Sequence, residues 1–225
     1  MMSHNVPLSR ADAIKQFHAE LLAKHEETSG DRAQLCGWSS ARSQEDRFAA
    51  LVRSLRYTGG SIVDFGCGTG DFHAFISNLY GDVDYIGVDC DESMLGVARR
   101  AHNARFTRCG FDEVNFESVD YVVASGIFQF RDAADPTYYE VLARALFERS
   151  RIGFAANFLS SLRRDSQKSE HELYLSPAEV ANLAAGISKS WVIDHSYHPG
   201  FGDVTAAMFH AEEDPTWARP SFDNP

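Results

Sequence analysis

The sequence predicts an α/β fold, a parallel sheet with helices on both of its faces. Three observations carry this prediction. Five short runs alternate with segments of helical spacing: "SIVDF" (61–65), "DYIGVD" (84–89), "ARFTRC" (104–109), "VDYVVAS" (119–125) and "RIGFAAN" (151–157). Most of these runs are apolar on both sides, as strands covered on both faces must be. The first run leads directly into "GCGTG" (66–70), a bare turn of the kind that joins a strand to a helix.

Each element follows in order. Residues 11–25 have helical spacing, with Ile14, Phe17, Leu21 and Leu22 on one stripe. A connector, "TSGDRAQLCGWSS", leads to a second helix over 43–56, where Phe48, Leu51, Val52 and Leu55 point inward and Ser43 with Asp46 forms a candidate capping box. Helices over 71–80, 92–102 and 136–149 fill the gaps between the strands. Asp135-Pro136 supplies a cap and a first-turn proline for the last of these. A further capped helix starts at Ser176-Pro177. Then "SWVIDHSYH" and "DVTAAMFHA", joined by "PGFG", read as an antiparallel hairpin. The whole, 1–225, reads as one domain: an N-terminal helical cap region over 1–58, a sheet core over 59–212 and a tail over 213–225.

The glycine turn identifies its ligand by what it lacks. A dinucleotide fingerprint is G-x-G-x-x-G. Here Gly66, Gly68 and Gly70 stand at alternate positions, and neither Asp71 nor His73 completes the pattern. Asp64 precedes the turn and Asp71 ends it. Two acids suit a ligand carrying positive charge better than a diphosphate. Nineteen residues after Gly70, Asp89 ends the second strand, where a carboxylate accepts hydrogen bonds from both hydroxyls of a ribose. The expected ligand therefore has a ribose and a cationic portion, and it lies along the carboxyl edge of the sheet.

On these residues the sequence resembles the class I S-adenosylmethionine (SAM)-dependent methyltransferases. "VDFGCGTGD" followed by "GVDCDESML" carries the likeness, which spans the chain from about Asp46 to the final hairpin. The resemblance implies a Rossmann-like seven-stranded sheet in the order 3-2-1-4-5-7-6, with strand 7 antiparallel, helices on both faces and an N-terminal helical extension. It implies SAM as cofactor and S-adenosylhomocysteine (SAH) as product. "GWSSARSQEDRF", "ASGIFQF", "FAANFLS" and "LYLSPAEV" are also similar to a group of small bacterial methyltransferases with an SG-[VI]-F motif after strand four.

The resemblance assigns roles residue by residue. Gly66, Cys67, Gly68 and Gly70 approach the methionine part of the cofactor, and Asp64 orients its ammonium group. Asp89 holds the ribose, with Cys90 beside it. Met94 packs on the adenine, in the core, or both. After strand three the order is "RCGFDEV". Either Asp112 reaches the adenine amino group, or Phe111 stacks on the ring and supplies a backbone N–H. Ser125 and Gly126 lie beside the sulfonium, the carbonyl of Ala124 or Ser125 accepts from the ammonium group, and Ile127 and Phe128 wall the methyl group.

Trp38, Gln44 and Arg47 precede the sheet and fold over the cofactor; Arg47 either pairs with the cofactor carboxylate or forms a surface pair with an aspartate. His195 and His198 on the final hairpin and Asn157 at the end of strand five are the candidate catalytic groups, because an imidazole deprotonates a hydroxyl near neutral pH. The acceptor is expected to enter past Phe128, Asn157 and "HSYHPGF", under a lid formed by the N-terminal helix with Phe17 and His18.

Composition bounds the alternatives. The net charge of −11 offers phosphate backbones no electrostatic footprint, so no nucleic-acid partner is expected. No apolar run reaches the roughly 18 residues of a membrane helix, and "MMSHNVPLSRADAIKQFHAE" has no signal-peptide core, so the expected location is cytoplasmic, without a membrane partner. Cys36, Cys67, Cys90 and Cys109 have neither zinc nor disulfide spacing. "SGIF" carries neither the double proline of nucleic-acid amino methyltransferases nor the aspartate of metal-dependent catechol-type enzymes, so no catalytic metal is expected. The reading is SAM-dependent methyl transfer to O or N of a small-molecule acceptor, in the manner of a tailoring enzyme. The alternatives are an NAD-dependent oxidoreductase or a non-catalytic cofactor-binding subunit of a larger assembly.

Overall fold

The computed structural model describes residues 14, 16, 17, 19–21, 23, 32–110, 114–132, 135–169, 172–197 and 202–210. At its centre is a sheet built from β1 (Ile62–Phe65), β2 (Tyr85–Asp89), β3 (Arg105–Arg108), β4 (Val119–Ala124), β5 (Ser150–Ser160), β6 (Tyr174–Leu175), β7 (Ser190–Asp194) and β8 (Asp203–Phe209). The order is β3-β2-β1-β4-β5-β8-β7, with β6 paired to β5. Strands β1 to β5 are mutually parallel, and β8 runs antiparallel to both β5 and β7. This is the expected order and polarity with one addition, the two-residue β6. Strand β8 holds one side of β5 through Leu159. Leu159 and Ser160 pair with Tyr174 and Leu175 on the other side, beyond the end of β4.

Helices cover both faces because β1, β4 and β5 are apolar on both. Val63, Phe65, Val122, Phe154 and Met208 pack beneath α5 (Tyr138–Arg149) and α6 (Pro177–Ile187). On the other face Ile62, Tyr85, Val123, Ala155 and Ala207 pack with α2 (Ala41–Leu55), α3 (Asp71–Tyr80) and α4 (Glu92–Ala101). A short α1 (Arg32–Leu35) precedes α2. Of the first expected helix, Ile14, Gln16, Phe17, Ala19, Glu20, Leu21 and Ala23 are helical, and Ile14 is buried. Leu22 lies outside the described residues. Among the described residues, no helix is long and apolar enough to cross a membrane.

Among the boundaries that differ from expectation, three have a clear local reason. Helix α2 starts two residues early because Ser40, in extended backbone, caps it by accepting from the Ser43 amide at 3.2 Å. Ser43 is thus inside the helix rather than at its cap. Helix α5 starts at Tyr138, because Asp135 Oδ1 accepts from Thr137 N and Oγ1 at 3.2 Å and delays the first helical turn. Strand β7 stops at Asp194, whose Oδ1 accepts from the Ser196 amide at 2.8 Å and turns the chain. The hairpin loop is therefore longer than "PGFG". By contrast, α6 begins as read: Ser176 and Glu179 form a reciprocal capping box at 3.1 and 2.7 Å with Pro177 in the first position.

One buried ion pair ties α2 to the last strand. Arg47 donates to Ser43 O at 2.7 Å and Ser43 Oγ at 2.6 Å, and its other terminal nitrogen pairs with Asp203, the first residue of β8. The two side chains are only 5% and 1% exposed. A charge left alone at such depth is costly, whereas an apolar pair of similar volume is not. Asp203→Ala is expected to lower stability by about 3–5 kcal/mol in urea denaturation, and the combined Arg47→Met, Asp203→Leu chain by much less.

Candidate functional site

The carboxyl ends of β1, β2 and β4 meet around the glycine turn. Gly66, Gly68 and Gly70 all have left-handed backbone, with φ of 79°, 52° and 77°. Neighbouring β2 dictates that path. Val88 O accepts from the amides of Gly66 and Cys67 at 2.8 and 3.0 Å, and Asp89 Oδ2 accepts from the Gly68 amide at 2.8 Å. Asp89 Oδ1 accepts from the Asp91 amide at 2.9 Å, so this one carboxylate braces both the turn and the approach to α4. A β-carbon on Gly68 would stand 2.7 Å from Cys36 Sγ, and one on Gly126 would stand 2.9 Å from the Trp38 ring. Both positions must stay bare.

Asp71 anchors the far end of the turn. It accepts from Thr69 Oγ1 at 2.7 Å and pairs with Arg32 at 3.1 Å. Burial pushes its carboxyl up, but hydrogen bonds from His102 and Thr69 and the Arg32 charge outweigh this and hold it below the ordinary range.

A crevice opens above this floor. Asp64, Gly66, Cys67, Gly68, Asp89, Ser125 and Gly126 line it from the sheet side. Ile14, Cys36, Trp38, Gln44 and Phe48 line it from the N-terminal side, and Ile127, Gln129 and Phe130 complete the wall. The described lining holds two carboxylates and neither lysine nor arginine. Asp64 accepts from the Tyr85 hydroxyl at 2.8 Å. Burial pushes its carboxyl up to about 7, against the Tyr85 hydrogen bond and helped by the charges of Asp89 and Asp71.

The residues singled out from the sequence divide accordingly. Asp64, Gly66, Cys67, Gly68, Asp89, Ser125, Gly126 and Trp38 come together in the crevice. Gly70, Cys90 and Met94 are buried but are not part of its described lining. Arg47 is taken by Asp203 and lies 4.6 Å from the Trp38 ring centroid, so it supports Trp38 from behind rather than facing the crevice. Phe128 stacks on Phe158 at 4.8 Å inside the core instead of walling the crevice. His195 is exposed and contacts Ser160 Oγ at 3.1 Å, away from the described lining.

Asn157 stands one residue behind the wall: its Oδ1 accepts from Ser125 Oγ at 2.8 Å. Phe111, Asp112 and His198 lie outside the described residues. The N-terminal helix, expected over the acceptor entrance, brings Ile14 to the same crevice as the glycine turn, and Phe17 packs edge-on against Phe130 at 5.4 Å. Cys36, Phe48, Gln129 and Phe130 were not singled out. Cys36 adjoins Trp38, and Gln129 and Phe130 continue "ASGIF", so adjacency to a recognised motif was the available signal.

The fold is of the class I methyltransferase type. Residues 62–148 match a family model described as a methyltransferase domain. The carboxy-S-adenosyl-L-methionine synthase of Campylobacter jejuni subsp. jejuni (strain 81-176) is 34% identical over 73 residues, covering 32% of this chain and 31% of that protein. The chain thus spans about a third of the length of the curated relatives it matches. The magnesium protoporphyrin IX methyltransferase of Synechocystis PCC 6803 with bound SAH is similar in structure, with a TM-score of 0.65 at 10% identity over 90% of this chain and 100% of that one. The CcbJ methyltransferase of Streptomyces caelestis is similar with a TM-score of 0.58 at 15% identity, over 74% and 90%.

Asp64 makes a testable demand on stability. Its folded pKa of about 7 lies above the ordinary carboxyl value of 3.8, so the folded state keeps a proton that the unfolded chain has lost. The stability it contributes is complete below about pH 4 and is lost as pH rises to about 7. Denaturation midpoints recorded across that range are expected to decline less in Asp64→Asn than in the parent.

Proposed function

We propose that this chain transfers the methyl group of SAM to an oxygen or nitrogen of a small-molecule acceptor and releases SAH. The observation that carries the reading is the crevice itself: a bare glycine floor between two buried carboxylates, with no lysine or arginine in its described lining. Such a site suits a ligand that is a cation at one end and a ribose at the other, and disfavours the diphosphate of a dinucleotide. Asp89 is suited to the ribose hydroxyls, and Asp64 to the ammonium group. On this reading the ligand's adenosine lies over β2 and its amino-acid end over β1 and β4, which is supported by the order in which the sheet brings Asp89, Asp64 and Ser125 together. Apolar neighbours help because the sulfonium charge disperses as the methyl leaves; Ile127 and Trp38 supply them. The acceptor attacks in line with the departing sulfur, and alignment supplies most of the catalysis. The reading includes a cap over 1–58 that covers the cofactor and a cytoplasmic setting consistent with four free cysteines.

The Campylobacter relatives are named for making a carboxylated form of SAM. A carboxylated ligand wants a cation beside it. Arg47, the one arginine buried among the described residues, is taken by Asp203, which favours methyl transfer here.

Calorimetric titration with SAM, SAH, NAD and NADP tests the reading, followed by labelled-methyl turnover against metabolite extract. Tight binding of the first pair alone is expected; binding of NAD instead would overturn it. Hydrogen bonds to a charged group contribute roughly 1.5–3 kcal/mol each, so Asp89→Ala is expected to weaken SAH binding about tenfold to hundredfold. SAH affinity is also expected to rise as pH passes about 7, where Asp64 becomes ionised, and Asp64→Asn to flatten that rise.

A further inference from the structure

Ser125 follows the last residue of β4 and lines the crevice, and a chain of polar groups stands behind it. Its hydroxyl donates to Asn157 Oδ1 at 2.8 Å. Asn157, in β5 and 5% exposed, donates from Nδ2 to Thr205 Oγ1 at 2.9 Å and to the Tyr197 hydroxyl at 3.3 Å. Thr205 in turn donates to Tyr197 at 2.7 Å. The amide's orientation follows from counting. Two partners face one end of it and one faces the other. An amide nitrogen has two hydrogens to place, so it belongs at the end with two partners; reversing it would bury a hydrogen with nothing to accept it. Burial and the nearby Asp203 charge push the Tyr197 phenol far up, so the chain stays neutral.

A serine hydroxyl has one hydrogen and two lone pairs. With the hydrogen committed to Asn157, Ser125 offers the crevice lone pairs only. The strand order brings it to the amino-acid end of a cofactor whose ribose sits at Asp89. We propose that Asn157, backed by Thr205 and Tyr197, is a positioning residue that holds the Ser125 hydroxyl as an obligate hydrogen-bond acceptor for the cofactor's ammonium group. This rests on the cofactor reading above. It also explains why Asn157, though close to the site, serves without touching the acceptor.

Two probes separate the outcomes: SAH, which carries the ammonium, and 5′-methylthioadenosine, which keeps the adenosine and thioether and lacks the amino-acid portion. Ser125→Ala and the near-isosteric Asn157→Leu are each expected to weaken SAH binding about tenfold while changing methylthioadenosine binding less than about twofold. The double variant is expected to be no weaker than either single one, because Asn157 acts through Ser125. The milder Thr205→Val and Tyr197→Phe keep the test open should Asn157→Leu unfold, with an expected loss of about threefold for SAH alone. Equal losses for both probes, or additive losses in the double variant, would overturn the proposal and leave the cofactor reading standing. Failure of the parent chain to bind either probe would overturn both.

Discussion

The hydrogen bonds that β2 sends across to the glycine turn set the rest of the site. Val88 O and Asp89 together hold three successive amides, of Gly66, Cys67 and Gly68. Those bonds force the left-handed path, and that path requires glycine. The crevice opens above the turn, between the ends of β1, β2 and β4 and the N-terminal segment. Asp89 is thereby committed twice, to the turn and to the start of α4, and it also lines the crevice. A side chain that shapes the floor is the same one suited to grip a ribose, so the grip is rigid before any ligand arrives.

The cover is built from a different part of the chain. Cys36 and Trp38 rest where β-carbons on Gly68 and Gly126 would intrude, and Arg47 braces Trp38 from behind. Floor and cover therefore meet glycine against side chain, and each glycine in the pair is bare for a neighbour as well as for a ligand. Among its described lining residues the crevice holds no lysine or arginine; Arg32 is directed to Asp71 and Arg47 to Asp203. Charge inside this region is arranged so that the arginines hold structure and the carboxylates at β1 and β2 face the cleft.

Much of this was legible in the sequence. The strands of a buried parallel sheet are continuous apolar runs, so β1, β2, β4 and β5 announce themselves, and alternate glycines after a strand mark the turn. The misread positions are those where a side chain chose a distant or alternative partner. Ser43 looked like a cap, but Ser40 took that role and left Ser43 to hold Arg47. Arg47 looked outward-facing because its partner, Asp203, lies in another strand entirely. Phe128 sits in the motif yet turns into the core, because a short 3-10 turn over Ile127–Gln129 reverses the direction of successive side chains. Strand β6 has two residues and no periodicity to read.

The insertion of β8 between β5 and β7 has a consequence for how the chain is made. Arg47 leaves the ribosome 156 residues before Asp203. At about 5–20 residues per second, its positive charge waits roughly 8–30 s for the carboxylate that neutralises it. Throughout that interval, burying the Arg47 side of α2 would leave its charge without Asp203, and the strand that would lie between β5 and β7 does not yet exist. The cleft, which takes its cover from residues ahead of the sheet and its brace from β8, is thus completed only once β8 has been made.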